Sequence, residues 1–521
     1  MAPSLTVTVS TSETLSSSGQ TVPRNFAGFS QEIGHASVYS ANGSFPRASL
    51  LTLLSALQPR HATEPAAFTI RLGGNSADSS CFECAATMPC YTEPPSKPGC
   101  SGNLTRAYLF VLEGFASAAS RLHGVNVSFV LGTNLGGAVD PAVGARLAAA
   151  IGDLKLWTPA GPIKALEVGN ECDSYFTTHP KSDLSSFAAY EKMFASYLAA
   201  YKAAGMGAHR IQGATFAALE RPFFDLGLHS YTRQFQADLA TLSLHNYPLQ
   251  HCFFKKVSID ALVARRSSHG VASLYAPFAA DAASAGVPLV LGEAGSANCG
   301  GAANVSDTFA SALWAVDYMS ELSKRGIAGV NFHGLGSTAP YSPISYHNVT
   351  DPFDPPAVRP LFYGLLAFNE FTANGSSWRD ATVDYQGFRE WTPASTAHAV
   401  TDRNGVTRVA IIAKDGDVQQ PVNVTVRIPC MNASVCLRRG CTASLVRLVA
   451  RSGGLTAKDG LSFADQTYDG SRDGSPAGIR QSEPVALVVN SAGGTWLEAR
   501  YATDAASLTM LTLSRLCSGF G

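Results

Sequence analysis

From Arg24 to Ala373 the chain repeats one pattern: a short strand-like run, a polar or glycine-bearing turn, then a longer stretch with apolar residues at helical spacing. The runs are Phe26–Ile33, Phe68–Gly74, Val127–Thr133, Ile163–Glu171, His209–Ala214, Thr241–Tyr247, Pro288–Gly295 and Gly329–His333. Each is too short for a stable helix and fits a strand covered on both faces. The stretches that follow predict helices over Arg47–Ala56, Tyr108–Leu122, Pro141–Leu156, Ser185–Ala204, Phe223–Leu239, Ile259–Ala285, Asp307–Lys324 and Pro360–Phe371. Eight strand–helix units in series predict an α/β fold, a (β/α)8 TIM barrel. A doubly wound open sheet is the alternative. The turns argue against its usual phosphate cradles, because Leu72-Gly-Gly-Asn-Ser76 is no G-x-G-x-x-G and Gly132–Gly137 lacks a following Lys-Ser/Thr.

Beyond about Ser376 the period changes from helical to two. Thr407–Ala413, Val422–Ile428, Ser444–Val449, Pro484–Val489 and Ser507–Leu513 alternate, with Gly, Asp and Ser turns between them. This predicts a C-terminal antiparallel β-sandwich. Ser4–Ser10 alternates in the same way and is expected to pair into it. The expected domains are a catalytic barrel over residues 23–375 and a sandwich of residues 1–22 plus 376–521.

Composition narrows the partners. A formal charge of −1 without runs of Lys or Arg argues against nucleic acid and anionic membranes. No apolar run approaches the ~20 residues of a spanning helix. The oligomeric state is left open. The chain has eleven Cys, and eight fall in two groups: Cys81, Cys84, Cys90, Cys100, then Cys430, Cys436, Cys441, Cys517. Eight Asn-x-Ser/Thr sequons, at Asn42, Asn103, Asn126, Asn304, Asn348, Asn374, Asn423 and Asn432, exceed chance. Together they predict a secreted or extracellular, disulfide-bonded glycoprotein. The first residues lack a signal-peptide pattern, so that segment is expected to be absent from the given chain.

The chemistry concentrates at two strand ends. Ala165–Glu171 finishes in Gly-Asn-Glu and Pro288–Gly295 carries Gly-Glu. Glycoside hydrolysis needs two carboxyl groups about one oxygen, and a barrel aims the ends of its strands at one mouth. Glu293 is expected to attack the anomeric carbon. Glu171 is expected to give its proton to the leaving oxygen and then activate water. Asn170 is expected to donate to the sugar 2-hydroxyl, and Tyr247 to hold the nucleophile. Glu32 and Asp78, at the ends of the first two strands, are expected to bind sugar hydroxyls. Arg71, inside the second strand, is expected either there or paired with a catalytic carboxylate in the barrel floor. No cofactor or metal is implied: His245, His333 and His347 form no ligand motif, and no Gly-x-Ser-x-Gly nucleophile elbow is present.

Asn-Glu ending strand four and a lone Glu ending strand seven resemble the clan of retaining (β/α)8 glycosidases. Further segments resemble the heparanase and β-glucuronidase family, glycoside hydrolase family 79. They are Gly28–Glu32, Arg71-Leu-Gly-Gly-Asn-Ser-Ala-Asp78, Leu244–Tyr247 and Asn331–Gly334 with Tyr341-Ser-Pro343. The resemblance implies a glucuronic-acid-containing glycan or glycoside as substrate. It also implies that the sugar carboxylate is held by the loop after strand eight, here Gly334, Gly336, Ser337 and Tyr341. The leading expectation is a retaining, exo-acting β-D-glucuronidase. The alternatives are an endo-β-glucuronidase and a non-catalytic carbohydrate-binding protein. A retaining mechanism requires the two carboxyl groups to lie about 5–5.5 Å apart. Cys252 and Cys299, which follow neighbouring strands, are expected to be bonded. Cys172 is expected to be free, and each Cys group to pair internally.

Overall fold

The computed structural model describes residues 3–9, 20–41, 43, 45–82, 102–136, 140–158, 161–175, 184, 186–217, 222–252, 255–386, 394–415, 420–429, 440–490 and 496–517. Eight parallel strands close into a barrel. They are β1 (Ala27–Glu32), β2 (Ala67–Gly73), β3 (Asn126–Thr133), β4 (Ile163–Val168), β5 (Ile211–Phe216), β6 (Leu239–Asn246), β7 (Leu289–Ala294) and β8 (Gly329–His333). The expected TIM barrel is therefore present, and β8 closes on β1 through Val330–His333 against Ala27–Ser30.

One predicted helix is broken. Ile259–Ala285 divides into a helix over Ile259–Val263, a 3-10 turn over Arg265–Ser267 and a helix over His269–Ser284. The cause is local competition for backbone groups. Ser267 Oγ donates to the carbonyls of Leu262 and Ala264, and Ala264 is extended at ψ 147°.

Two further sheets form the sandwich. One runs Ala381–Gln386, Ser4–Val9, Val422–Pro429, Trp496–Thr503, Leu487–Asn490. The N-terminal strand does join it, antiparallel to Ala381–Gln386 but parallel to Val422–Pro429, so this sheet is mixed rather than purely antiparallel. The other runs Ser377–Arg379, Thr396–Thr401, Thr407–Lys414, Ala506–Leu513, Ala443–Ala450, Leu461–Phe463. The predicted strand Pro484–Val489 splits between the sheets, as Glu483–Val485 and Leu487–Asn490.

Thr407–Lys414 is buried at every position. Val409 and Ile411 face the other sheet, while Ala410 and Ile412 join the core that continues into the barrel's helices. The barrel helix Phe309–Lys324 lies at this seam and is buried on nearly every side. At its centre, fully buried Asp317 accepts from Lys414 Nζ (2.6 Å), His398 Nε2 (2.8 Å), Thr396 Oγ1 (2.8 Å) and Ser268 Oγ (2.5 Å). Burial would raise its carboxyl, but Lys414 and His398 hold it well below the usual carboxylate range.

Cys252 and Cys299 are bonded, as are Cys441 and Cys517. Cys172 is free and buried. Cys81 is also in a disulfide. Cys84, Cys90, Cys100, Cys430 and Cys436 lie outside the described residues, as do the sequons at Asn42 and Asn432. Among the described residues no helix is long and apolar enough to cross a membrane.

Candidate active site

A barrel floor is normally filled by branched apolar side chains. Here its centre is polar. Arg71 points inward from β2 at 0 % exposure. A buried guanidinium is tolerable only when paired and hydrogen-bonded. Its Nε donates to Glu167 Oε1 (2.7 Å) and its Nη1 to Glu293 Oε2 (2.5 Å). Nη2 donates to Glu167 Oε1 (2.5 Å) and Asn170 Oδ1 (2.7 Å). Glu167 Oε2 in turn accepts from Gln212 Nε2 (2.6 Å). Of the two roles the sequence left open for Arg71, the structure shows pairing in the floor. Glu167 was missed there, although a lone acid inside an apolar strand is itself a signal that a buried cation faces it.

Glu293 sits in β7 and is 7 % exposed. Its Oε1 accepts from the Tyr247 phenol at 2.7 Å, as the sequence suggested. Its Oε2 lies 3.5 Å from His333 Nδ1, which also shares a hydrogen bond with Ser30 Oγ (2.9 Å). Burial alone would raise this carboxyl; His333, His245, Arg71 and the Tyr247 phenol bring it well below its usual range.

Glu171 does not end β4. The strand stops at Val168, and Glu171 follows in the left-handed region at φ 52°, ψ 45°. Such a conformation costs a non-glycine residue about 1–3 kcal/mol and persists only where neighbours enforce it. Its N–H donates to the Thr215 carbonyl (2.9 Å), and its own carbonyl accepts from Ser174 N (2.8 Å) and Oγ (2.7 Å). The side chain meets His245 Nδ1 at 3.0 Å. Burial would lower His245, but Glu293 and Glu171 raise it above the ordinary imidazole value. Glu171, His245 and Glu293 each bring one ligand atom within 4.8 Å of the others. Within the group His245 Nδ1 is bonded to Glu171 Oε1, and the Glu293 oxygens to Arg71 and Tyr247.

Glu32 is part-exposed and reaches the same mouth. Its Oε2 accepts from Ser76 N (2.8 Å) and Oγ (2.5 Å), and its Oε1 lies 3.8 Å from His333 Nε2. Gly74 makes this possible: at φ +68° a Cβ there would lie 2.6 Å from the Glu32 carboxyl. Asn170 is held by Arg71 at Oδ1 and by Asn75 Oδ1 at Nδ2 (3.1 Å). Tyr341 stacks on Tyr247 with centroids 6.1 Å apart and meets His333 edge-on at 5.8 Å. Gly334, at φ +96°, admits the Tyr341 ring, whose Cε2 lies 2.6 Å from where a Cβ would be. Ser337 Oγ turns into its own loop, bonded to Ser342 Oγ (2.9 Å) and Ala339 N (3.2 Å). His347 is exposed, away from this cluster. Asp78 does not join the group either. It lies in the 3-10 turn Asn75–Ser79, 3 % exposed, beneath the Asn170–Glu171 segment.

The Cys252–Cys299 bond ties the loops after β6 and β7 at the rim. Asn298 reinforces it, accepting from His251 N (2.6 Å) and Cys252 N (3.0 Å).

Tyr247→Phe is expected to lower kcat/KM about tenfold. It is also expected to move the acid limb of its pH profile upward. The lost bond favours the ionised form of Glu293, so the carboxyl protonates at higher pH. An unmoved acid limb would show that the phenol does not act on Glu293.

No family model and no curated protein matches this sequence. Solved structures do match in fold. A 4-O-α-L-rhamnosyl-β-D-glucuronidase from Fusarium oxysporum 12S aligns at 19 % identity and TM-score 0.72, over 97 % of this chain and 100 % of that one. A GH51 arabinofuranosidase from Xanthomonas axonopodis pv. citri aligns at 14 % and 0.64, over 98 % and 100 %. CelM2, a bifunctional glucanase-xylanase from a metagenome library, aligns at 12 % and 0.58, over 98 % and 99 %. At these identities the likeness is one of fold.

Proposed function

We propose that this protein is a retaining β-glycosidase that removes terminal β-D-glucuronic acid by double displacement. The observation that carries the reading is the meeting of Glu171 and Glu293, with one oxygen of each no more than 4.8 Å from the other at the barrel mouth. An inverting enzyme would need about 6.5–9.5 Å between its carboxyl groups to seat a water. Glu293 Oε attacks the anomeric carbon as the glycosidic C–O bond breaks, and the Glu171 proton passes to the leaving oxygen. Glu171 then takes a proton from water, whose oxygen attacks the same carbon and releases Glu293. Arg71 and Tyr247 hold the nucleophile in line. Asn170 has its Oδ1 occupied by Arg71, so it presents N–H to the sugar, suited to the 2-hydroxyl. Glu32 is the acceptor placed for further hydroxyls.

The glucuronide specificity is supported by the loop from Gly334 to Tyr341 and by the fold neighbour named as a glucuronidase. A buried sugar carboxylate must meet several donors. Tyr341 is the group this loop offers, because the Gly334, Gly336 and Ser337 N–H groups are bonded to the Ser30, Ile344 and Gly334 carbonyls. A panel of 4-nitrophenyl β-glucuronide, β-glucoside, β-galactoside and β-xyloside tests the reading, with the glucuronide expected to be fastest. Tyr341→Phe is expected to lower glucuronide kcat/KM by about 10–100-fold and any glucoside activity by less than about threefold, because only the former loses a charge-assisted bond. Equal loss on both substrates would remove Tyr341 from the specificity argument. Faster glucoside than glucuronide turnover in the wild type would overturn the uronic-acid assignment.

A further inference from the structure

One 3-10 turn, Asn75–Ser79, supports the whole first half of the site. Ser76 holds Glu32 and Asn75 holds the Asn170 amide. Asp78 points the other way, into the protein. Its Oδ1 lies 3.5 Å from the Leu135 N–H, in the loop after β3. The Tyr175 phenol also faces its carboxyl. The Asn170 N–H lies 3.2 Å from that same phenol. The Leu135 N–H and the Tyr175 phenol, which itself accepts from the Asn170 N–H, thus converge on one buried carboxyl below the residue that precedes Glu171.

We infer that Asp78 is a positioning residue that fixes the Asn170–Glu171 segment, and through it the acid/base carboxyl, by anchoring from beneath the Tyr175 phenol that holds the Asn170 amide. The inference rests on the two-carboxylate reading above. As a carboxylate, Asp78 accepts from the Leu135 N–H and the Tyr175 phenol, whose oxygen in turn accepts from the Asn170 N–H. Once protonated it donates to the Tyr175 oxygen, which then has less to offer the Asn170 N–H. Burial pushes Asp78 up to about 8, against the Tyr175 phenol, the Leu135 and Asn170 N–H groups and the charge of Arg71. The other titratable groups facing it are Cys172, from the turn after Glu171, and Tyr197, from helix Phe187–Ala203. Both are pushed up by burial first, so Asp78 is the member of this cluster that changes charge near pH 8.

The test uses the full-length chain labelled with 15N-leucine or 15N-asparagine, and the fastest aryl glycoside of the panel. In the wild type the Leu135 and Asn170 amide signals are expected to titrate together near pH 8; in Asp78→Asn they are expected to stay still. Assayed above pH 8, where the wild-type carboxyl is ionised, Asp78→Asn should lower kcat by about 10–100-fold with KM changed less than about threefold, the signature of a misplaced reacting group. Tyr175→Phe keeps the carboxyl and should move the titration to higher pH, since a donor to the ionised form is lost. Amide signals that stay still from pH 6.5 to 9.5 in the wild type would overturn the inference, as would an Asp78→Asn kcat within about threefold of wild type. If the wild type cleaves no glycoside, the functional reading fails, and the amide titration still decides whether Asp78 anchors the segment.

Discussion

Replacing Glu293 by Gln is expected to lower kcat by at least about 10⁴-fold, the scale seen when a covalent nucleophile is removed. The variant keeps the shape of the side chain and removes its charge. One amide orientation preserves acceptance from Tyr247 but turns NH2 towards Arg71 Nη1, which now donates to Glu293 Oε2 at 2.5 Å. Donor then faces donor in a buried place, so a stability loss of about 1–3 kcal/mol should accompany the loss of turnover. Two smaller variants separate the carboxylates by product. With azide added, Glu293→Ala should give the α-glycosyl azide, because azide attacks from the face that Glu293 leaves. Glu171→Ala should give the β-glycosyl azide, because azide then replaces water in the second displacement. Retention of more than about one per cent of wild-type kcat in Glu293→Gln would contradict the role given to this residue.

Asp317→Ala is expected to cost about 3–5 kcal/mol, the range for removing one member of a buried ion pair. The deletion leaves Lys414 Nζ and His398 Nε2 without the oxygens that now lie 2.6 and 2.8 Å away, at the seam between barrel helix and sandwich. The Glu171 and Glu293 carboxylates belong to another part of the molecule, so urea midpoints should fall while kcat per folded molecule holds. The pH dependence has two parts. The Asp317 carboxyl is depressed in the fold, so its contribution is complete above the unfolded value near ~3.9 and is lost as pH falls through the native value. His398 is also lowered, by burial first and by Lys324. The unfolded chain therefore takes a proton below about pH 6.5 that native His398 refuses, and stability declines from there downward. An unfolding free energy for Asp317→Ala within about 0.5 kcal/mol of wild type, from urea titration, would show that the seam does not depend on this cluster.

Much of the site is readable from strand position. In a barrel, a residue at the end of an apolar run is delivered to the mouth, which is why Glu293, Tyr247 and the Cys252–Cys299 pair fall where the sequence places them. The same logic weakens one turn further on. Glu171 reaches the mouth only through a left-handed backbone that follows Gly169, and Asp78 is carried below it by a 3-10 turn. Neither turn leaves a periodic signal. Arg71 was legible as a buried charge, but its partner Glu167 and the flanking His245 and His333 needed the closed barrel to bring four strands together. Helix Phe309–Lys324 reads as an ordinary barrel helix because its outer face is covered by a sheet that the local sequence does not announce. The parallel pairing of Ser4–Val9 with Val422–Pro429 is a long-range choice of the same kind.

The central claim is that Glu171 and Glu293 act by two successive displacements at one carbon. It is tested most directly by following the anomeric proton of the first-formed sugar by 1H NMR during hydrolysis of an aryl β-glucuronide. Two inversions predict that the β-anomer of free glucuronic acid appears first and mutarotates to the α-anomer only later. Immediate appearance of the α-anomer would mean a single displacement by water, and would contradict the account.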